Sequence, residues 1–203
     1  MSALVVKIGG SLWRSPDLPR WIDALRSYPG PLTLVPGGGP FADAVRAAQP
    51  ALGFSDRAAH EMALLAMEQY GVALADRFPR LALAETPREA SAIRAMGKIV
   101  VWRPRAMVLA SDVPPSWDVT SDSLAAWYAH EAGAVRLLLI KSVDFASDQK
   151  LRDLVDARFE DYARGLEALV AGPRQLVDAA DMFARDLLAK RCVAFPERQR
   201  KTA

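Results

Sequence analysis

The chain has 203 residues, 51% of them hydrophobic, with 26 basic and 24 acidic side chains and a formal charge of +2. Charges so evenly mixed exclude the basic stripe of a nucleic-acid binder, and the one basic cluster, the terminal ERQRK, reads as a solvated end. A single cysteine, Cys192, excludes an internal disulfide or a cysteine-built zinc cluster, and no apolar run approaches the roughly 20 residues that span a bilayer.

The first residues lack the basic-then-apolar layout of a signal peptide, so the expected location is the cytoplasm. The length suits one domain, 1–203, with a substantial core.

In chain order, short apolar runs predict strands at Ala3–Ile8, Leu32–Val35, Leu81–Ala84, Ile99–Trp102 and Val135–Ile140. They are continuous rather than alternating, as expected of strands covered on both faces. Helical patterns fall between them at Asp17–Tyr28, Phe41–Ala48, Asp56–Phe78, Arg88–Met96 and Ser121–Ala132. The alternation predicts βαβ units and a three-layer αβα sandwich with a mainly parallel open sheet. VPPSW (113–117) reads as a sharp connection. Beyond Asp148 the pattern is mostly helical, with a weak late strand at Cys192–Phe195.

Two strands end on glycines. KIGGS places Lys7 before Gly9, Gly10 and Ser11, and VPGGG ends the next strand with Gly37, Gly38 and Gly39. In a parallel sheet such ends face the ligand crevice, and bare backbone before a helix makes an anion site. Alone, the first loop fits an exposed lysine and a tight turn equally well. The second loop also matches G-x-G-x-x-A, with Asp56 about 20 residues on, which would suggest a dinucleotide. That acid should end a strand, however, and Ser55-Asp56 instead opens a helix. No Walker loop occurs.

Two further stretches carry polar chemistry. Asp118, Thr120, Ser121 and Asp122 crowd the start of an apolar helix, more than a cap alone requires. LLLIKSVDF ends a buried strand on Lys141, with Asp144 beyond.

KIGGS, VPGGGPFAD, TSDSLAA and LIKSVDF, in this order, resemble the amino acid kinase superfamily. Within it, SDRAAHEMALLAMEQYG and PPSWDVTSDSLAAWYA are similar to the short branch of [5-(aminomethyl)furan-3-yl]methyl phosphate kinases of methanofuran synthesis. The resemblance implies ATP with Mg2+, and transfer of the γ-phosphoryl to a small phosphorylated acceptor, most simply that furan phosphate. It makes Lys7 and Asp122 catalytic, the lysine stabilising the migrating phosphoryl and the aspartate holding that lysine in place. If Asp122 were only a helix-end charge, Asp122→Asn would cost a little stability. As an organiser it should spare the fold and stop turnover.

Gly9, Gly10, Ser11, Lys141 and Asp144 fall to the nucleotide and its phosphates. Gly37, Gly38 and Gly39, with Asp43, His60, Asp118, Thr120 and Ser121, form the candidate acceptor set. Arg14, Arg46 and Arg57 are candidates for its phosphate. No protein metal site is implied. The partners expected are the small phosphorylated substrate and further copies of the chain in a homo-oligomer, without nucleic acid or membrane. Phe145 stands where many members carry glycine, and the closing glycine-threonine segment of longer kinases is missing. Other acceptors, such as a carboxylate or a nucleoside monophosphate, and a non-catalytic binding or storage role stay open.

Overall fold

The computed structural model describes residues 2–145 and 151–196; the ERQRK tail and Asp148 lie outside them. The chain opens with β1 (Leu4–Ile8), a 3-10 turn (Gly10–Arg14), α1 (Asp17–Leu25), β2 (Leu32–Pro36), α2 (Gly39–Leu52) and α3 (Asp56–Arg77). Next come β3 (Leu81–Ala84), α4 (Pro87–Ala95), β4 (Ile99–Trp102), α5 (Arg105–Leu109), α6 (Ser121–Glu131) and β5 (Arg136–Ile140). A second 3-10 turn (Leu151–Leu154), α7 (Phe159–Tyr162), β6 (Glu167–Ala171), α8 (Pro173–Leu176), α9 (Ala179–Ala184), α10 (Leu188–Arg191) and β7 (Val193–Ala194) follow.

The strands form one sheet in the order β3-β4-β2-β1-β5-β6-β7. Every neighbouring pair is parallel except β6 and β7. This is the α/β sandwich the alternation predicts. Side chains alternate across the sheet, which fixes what each face buries. Leu4, Val6 and Ile8 join Trp21 and Leu25 of α1 and Phe183 of α9 in one core cluster. Val5 joins Leu124, Ala125 and Tyr128 of α6 in the other. Fully burying a large apolar side chain contributes roughly 1.5–3 kcal/mol, so both faces stabilise the sheet.

Helix ends follow local chemistry. Ser55 accepts the amide of Ala58 and starts α3, while Gly53, at φ 69°, closes α2 in the left-handed region. The predicted Asp17–Tyr28 helix stops at Leu25, and Tyr28 instead reaches Ser2 O with its hydroxyl at 2.7 Å.

The main correction lies late in the chain. Within the stretch that reads as helical, Glu167–Ala171 is a parallel strand paired along its whole length with β5. Its five residues stand among helices of four to six residues, too short to show a period of their own. The late strand shrinks to Val193–Ala194 at the sheet edge.

Candidate active site

Lys7 and Lys141 reach one place because of strand parity. Lys7 follows Val5 on the α6 face of β1, and Lys141 follows Leu137 and Leu139 on the same face of β5. The two strands are neighbours, with Lys7 level with Leu139. Helix α6 crosses this face and lowers Asp122 between the lysines. Lys7 Nζ lies 2.8 Å from Asp122 Oδ1, and Lys141 Nζ donates to Oδ1 at 2.9 Å and Oδ2 at 3.0 Å.

All three residues are buried. Burial alone would raise the Asp122 pKa, but the charges of Lys7 and Lys141 outweigh it and hold the carboxyl below its ordinary value. Burial, followed by the charge of Lys7, pushes Lys141 down to about 8. One anion thus faces two cations, which leaves a net positive group at the carboxyl ends of β1 and β5.

The glycine loops pack against each other. A Cβ on Gly10 would stand 2.7 Å from Gly39 N, and one on Gly37 would stand 2.6 Å from Gly10 N. Close approach of backbone to backbone therefore accounts for both residues, before any ligand is considered. The amides divide differently from the sequence expectation. Gly9 donates to Ile140 O and Gly37 to Ile8 O, extending the parallel ladder, so neither amide is left for a ligand. Gly10 opens the 3-10 turn and Gly38-Gly39 open α2, where the first amides have no intrahelical acceptor. Ser11 meets Ser142 at 2.6 Å between hydroxyls, joining the first loop to the segment after β5.

A cavity of about 260 Å³ lies beside these loops. Gly10, Ser11, Gly38, Gly39, Asp43, His60, Thr120 and Ser121 all line it, so most of the expected acceptor set converges there. Gly37 is buried behind the loop, and Asp118 is exposed outside the lining. Asp144 turns to the late part of the chain, where its Oδ1 accepts the Arg174 amide at 2.9 Å. Phe145 packs against the α6-side core.

Sequence reasoning missed the cavity walls. Trp13 and Trp117 stand in the lining, each with a guanidinium, Arg14 and Arg46 respectively, 4.3 Å from its ring centre. Trp117 Nε1 donates to Gln49 Oε1 at 2.7 Å, and Gln49 Nε2 donates to Asp56 Oδ1 at 2.8 Å. VPPSW is therefore a wall of the site as well as a connection. Arg46 lines the cavity, whereas Arg14 and Arg57 do not. His60 is buried, its pKa is lowered by burial, and its Nε2 has no hydrogen-bond partner among the described residues.

Asp156 was also missed. It accepts from Thr120 N at 2.9 Å, Thr120 Oγ1 at 2.8 Å and Ser123 N at 3.0 Å, and also from Ser123 Oγ. Thr120 makes no side-chain cap of its own, contrary to the capping role its position suggests. Only a long-range contact supplies this cap, and no local spacing announces it.

The family model described as amino acid kinase family matches residues 2–158, which contain both glycine loops, both lysines and Asp122. The chain belongs to the amino acid kinase family. It is a phosphotransferase, a kinase. A relative from Methanocaldococcus jannaschii, [5-(aminomethyl)furan-3-yl]methyl phosphate kinase, is 28% identical over 162 residues, covering 75% of this chain and 74% of the relative.

Solved structures share the fold. The UMP kinase of Ureaplasma parvum aligns with a TM-score of 0.66 at 16% identity, over 90% of this chain and 96% of that one. The uridylate kinase of Archaeoglobus fulgidus gives 0.63 at 18% identity, over 89% and 96%. Within this amino acid kinase, no described helix is long and apolar enough to cross a membrane.

Proposed function

We propose that this kinase transfers the γ-phosphoryl of ATP to the phosphate of a small, flat, amine-bearing acceptor, most specifically [5-(aminomethyl)furan-3-yl]methyl phosphate. An acceptor phosphate oxygen forms the new P–O bond as the bond from the γ-phosphorus to the bridging oxygen breaks, giving a diphosphate and ADP. ATP supplies the phosphoryl group, with Mg2+ carried on its phosphates.

Residues of the chain do the rest. Lys7 and Lys141 present positive charge where negative charge moves, and Asp122 fixes both. Gly10, Ser11, Gly38 and Gly39 line the cavity, and in this reading their backbone amides donate to phosphate oxygens. Neither the protein nor its acceptor needs a covalent intermediate, since orientation and charge stabilisation suffice.

The observation that carries the acceptor is the cavity lining. Trp13 and Trp117 offer aromatic walls, Asp43 and Asp56 offer carboxylates for an amine, and His60 and Arg46 offer groups for a phosphate. The likeness to the Methanocaldococcus jannaschii kinase supports the same choice. Self-association belongs to this reading, with Met62, Leu65 and Val72 exposed along α3. The test is kcat/KM across a panel holding the furan phosphate, its analogue without the amine, UMP and a carboxylate. The reading expects the furan phosphate first and a clear loss without the amine. Preference for UMP or the carboxylate would overturn it.

A further inference from the structure

We propose that Asp156 is a positioning residue for phosphoryl transfer, acting by fixing the first turn of α6 and with it the carboxylate of Asp122 between the two lysines. The inference rests on the reading of Lys7, Asp122 and Lys141 as the transfer site.

Asp122 is the second residue of α6, flanked closely by Thr120 and Ser123. Asp156 takes the backbone amides and the hydroxyls of both neighbours, so one carboxylate holds four donors across the turn that carries Asp122. An ordinary cap satisfies one or two amides from within the local sequence. Here the acceptor arrives from beyond β5, just before α7, and Ser123 is fully buried. Helix α6 cannot shift or rotate at its start without breaking several of these bonds together. A displacement of about 1 Å at such a site is enough to cost on the order of 100-fold in rate.

The same carboxylate acts on the transfer group through its charge. The charged groups acting on Lys141 are Lys7 on β1, Asp122 on α6 and Asp156. Asp156 is thus a second anion beside a group in which two cations share one carboxylate. Its removal would loosen Asp122 and also favour the neutral form of Lys141.

The experiment is the pH–rate profile of Asp156→Asn beside wild type, with kcat and KM for both substrates and thermal unfolding. Asparagine keeps the shape but has one acceptor oxygen and no charge. The expected result is kcat lower by about 10- to 100-fold with both KM values little changed, and an alkaline limb moved to lower pH. Unchanged kcat and an unmoved limb, with only a lower melting temperature, would make Asp156 a helix cap and overturn the proposal. If Asp156→Asn does not fold, Ser123→Ala, which removes one donor, is read by the same kcat-against-KM split. Unchanged kcat there overturns it equally. A wild type with no alkaline limb would overturn the role of Lys141, while the kcat split would still decide for or against Asp156.

Discussion

Lys7 and Lys141, far apart in sequence, share a single carboxylate oxygen, Oδ1 of Asp122, at 2.8 and 2.9 Å. Asp122→Asn therefore leaves two buried ammonium groups without their anion. Breaking a buried pair from one side costs about 3–5 kcal/mol. Lys141 can shed its proton, so the loss should fall near the lower end. Burial thus predicts a loss of stability where the sequence alone expects the fold to be spared, and turnover should drop by orders of magnitude as well. Since the Asp122 pKa is depressed on folding, its contribution is present above the unfolded value of 3.8 and lost as pH falls through the folded one. Thermal unfolding and turnover on one preparation check this. A folded variant with full activity would remove Asp122 from the mechanism.

Lys141 should show opposite trends in stability and activity. Its pKa falls from 10.5 to about 8 on folding, so the unfolded chain binds more protons between those values. Its contribution to stability therefore rises with pH across that window. The charge that serves transfer is lost above about 8. Lys141→Met should keep or raise the melting temperature while lowering kcat by about 100-fold or more. Turnover and unfolding measured on both sides of that pH decide it. A strongly destabilised variant would contradict the view that two cations overfill one carboxylate.

Gly38→Val should weaken the acceptor site through α2. A Cβ at Gly38 would stand 2.3 Å from the Ala42 Cβ, so the first turn must shift before any side chain reaches the cavity. Overpacking of this kind costs about 1–3 kcal/mol. Calorimetry should show lost acceptor binding and retained nucleotide binding, with a lower melting temperature. If the nucleotide were lost and the acceptor kept, the roles of the two glycine loops would be exchanged.

Trp117→Ala should raise the acceptor KM and leave the nucleotide KM alone. An aromatic contact contributes about 0.5–1.5 kcal/mol beyond area, or roughly 2- to 10-fold. The indole is anchored by Gln49 and faced by Arg46, so its plane is set before substrate arrives. Steady-state kinetics with both substrates check this, and an unchanged acceptor KM would leave Trp117 as scaffold.

The parts of the fold that can be read in the sequence are those whose cause is local. β1 is an apolar strand with Lys7 next to its last residue, β5 is apolar after Arg136 with Lys141 just past its end, and side-chain parity puts Lys7 and Lys141 on one face. The start of α3 could be read from Ser55-Asp56. By contrast, β6 is set by pairing with β5, not by its own five residues. Gly9 and Gly37 look like open phosphate loops, but the ladder takes their amides. Asp156 and Trp117 act across the chain, on Thr120 and Ser123 in one case and Gln49 in the other. Nothing in their neighbours' spacing marks them.

The most direct test of the account is single-turnover transfer of labelled γ-phosphoryl from ATP by wild type and Lys7→Ala. Lys7 sits at the end of β1, buried and fixed by Asp122, beside the Gly10 turn. Losing one such donor to a migrating charge costs about 2.7–4 kcal/mol, or roughly 100- to 1000-fold. The account predicts a fall of that size in the transfer step, with the variant folded and still binding nucleotide. A folded Lys7→Ala that transfers at the wild-type rate would contradict it.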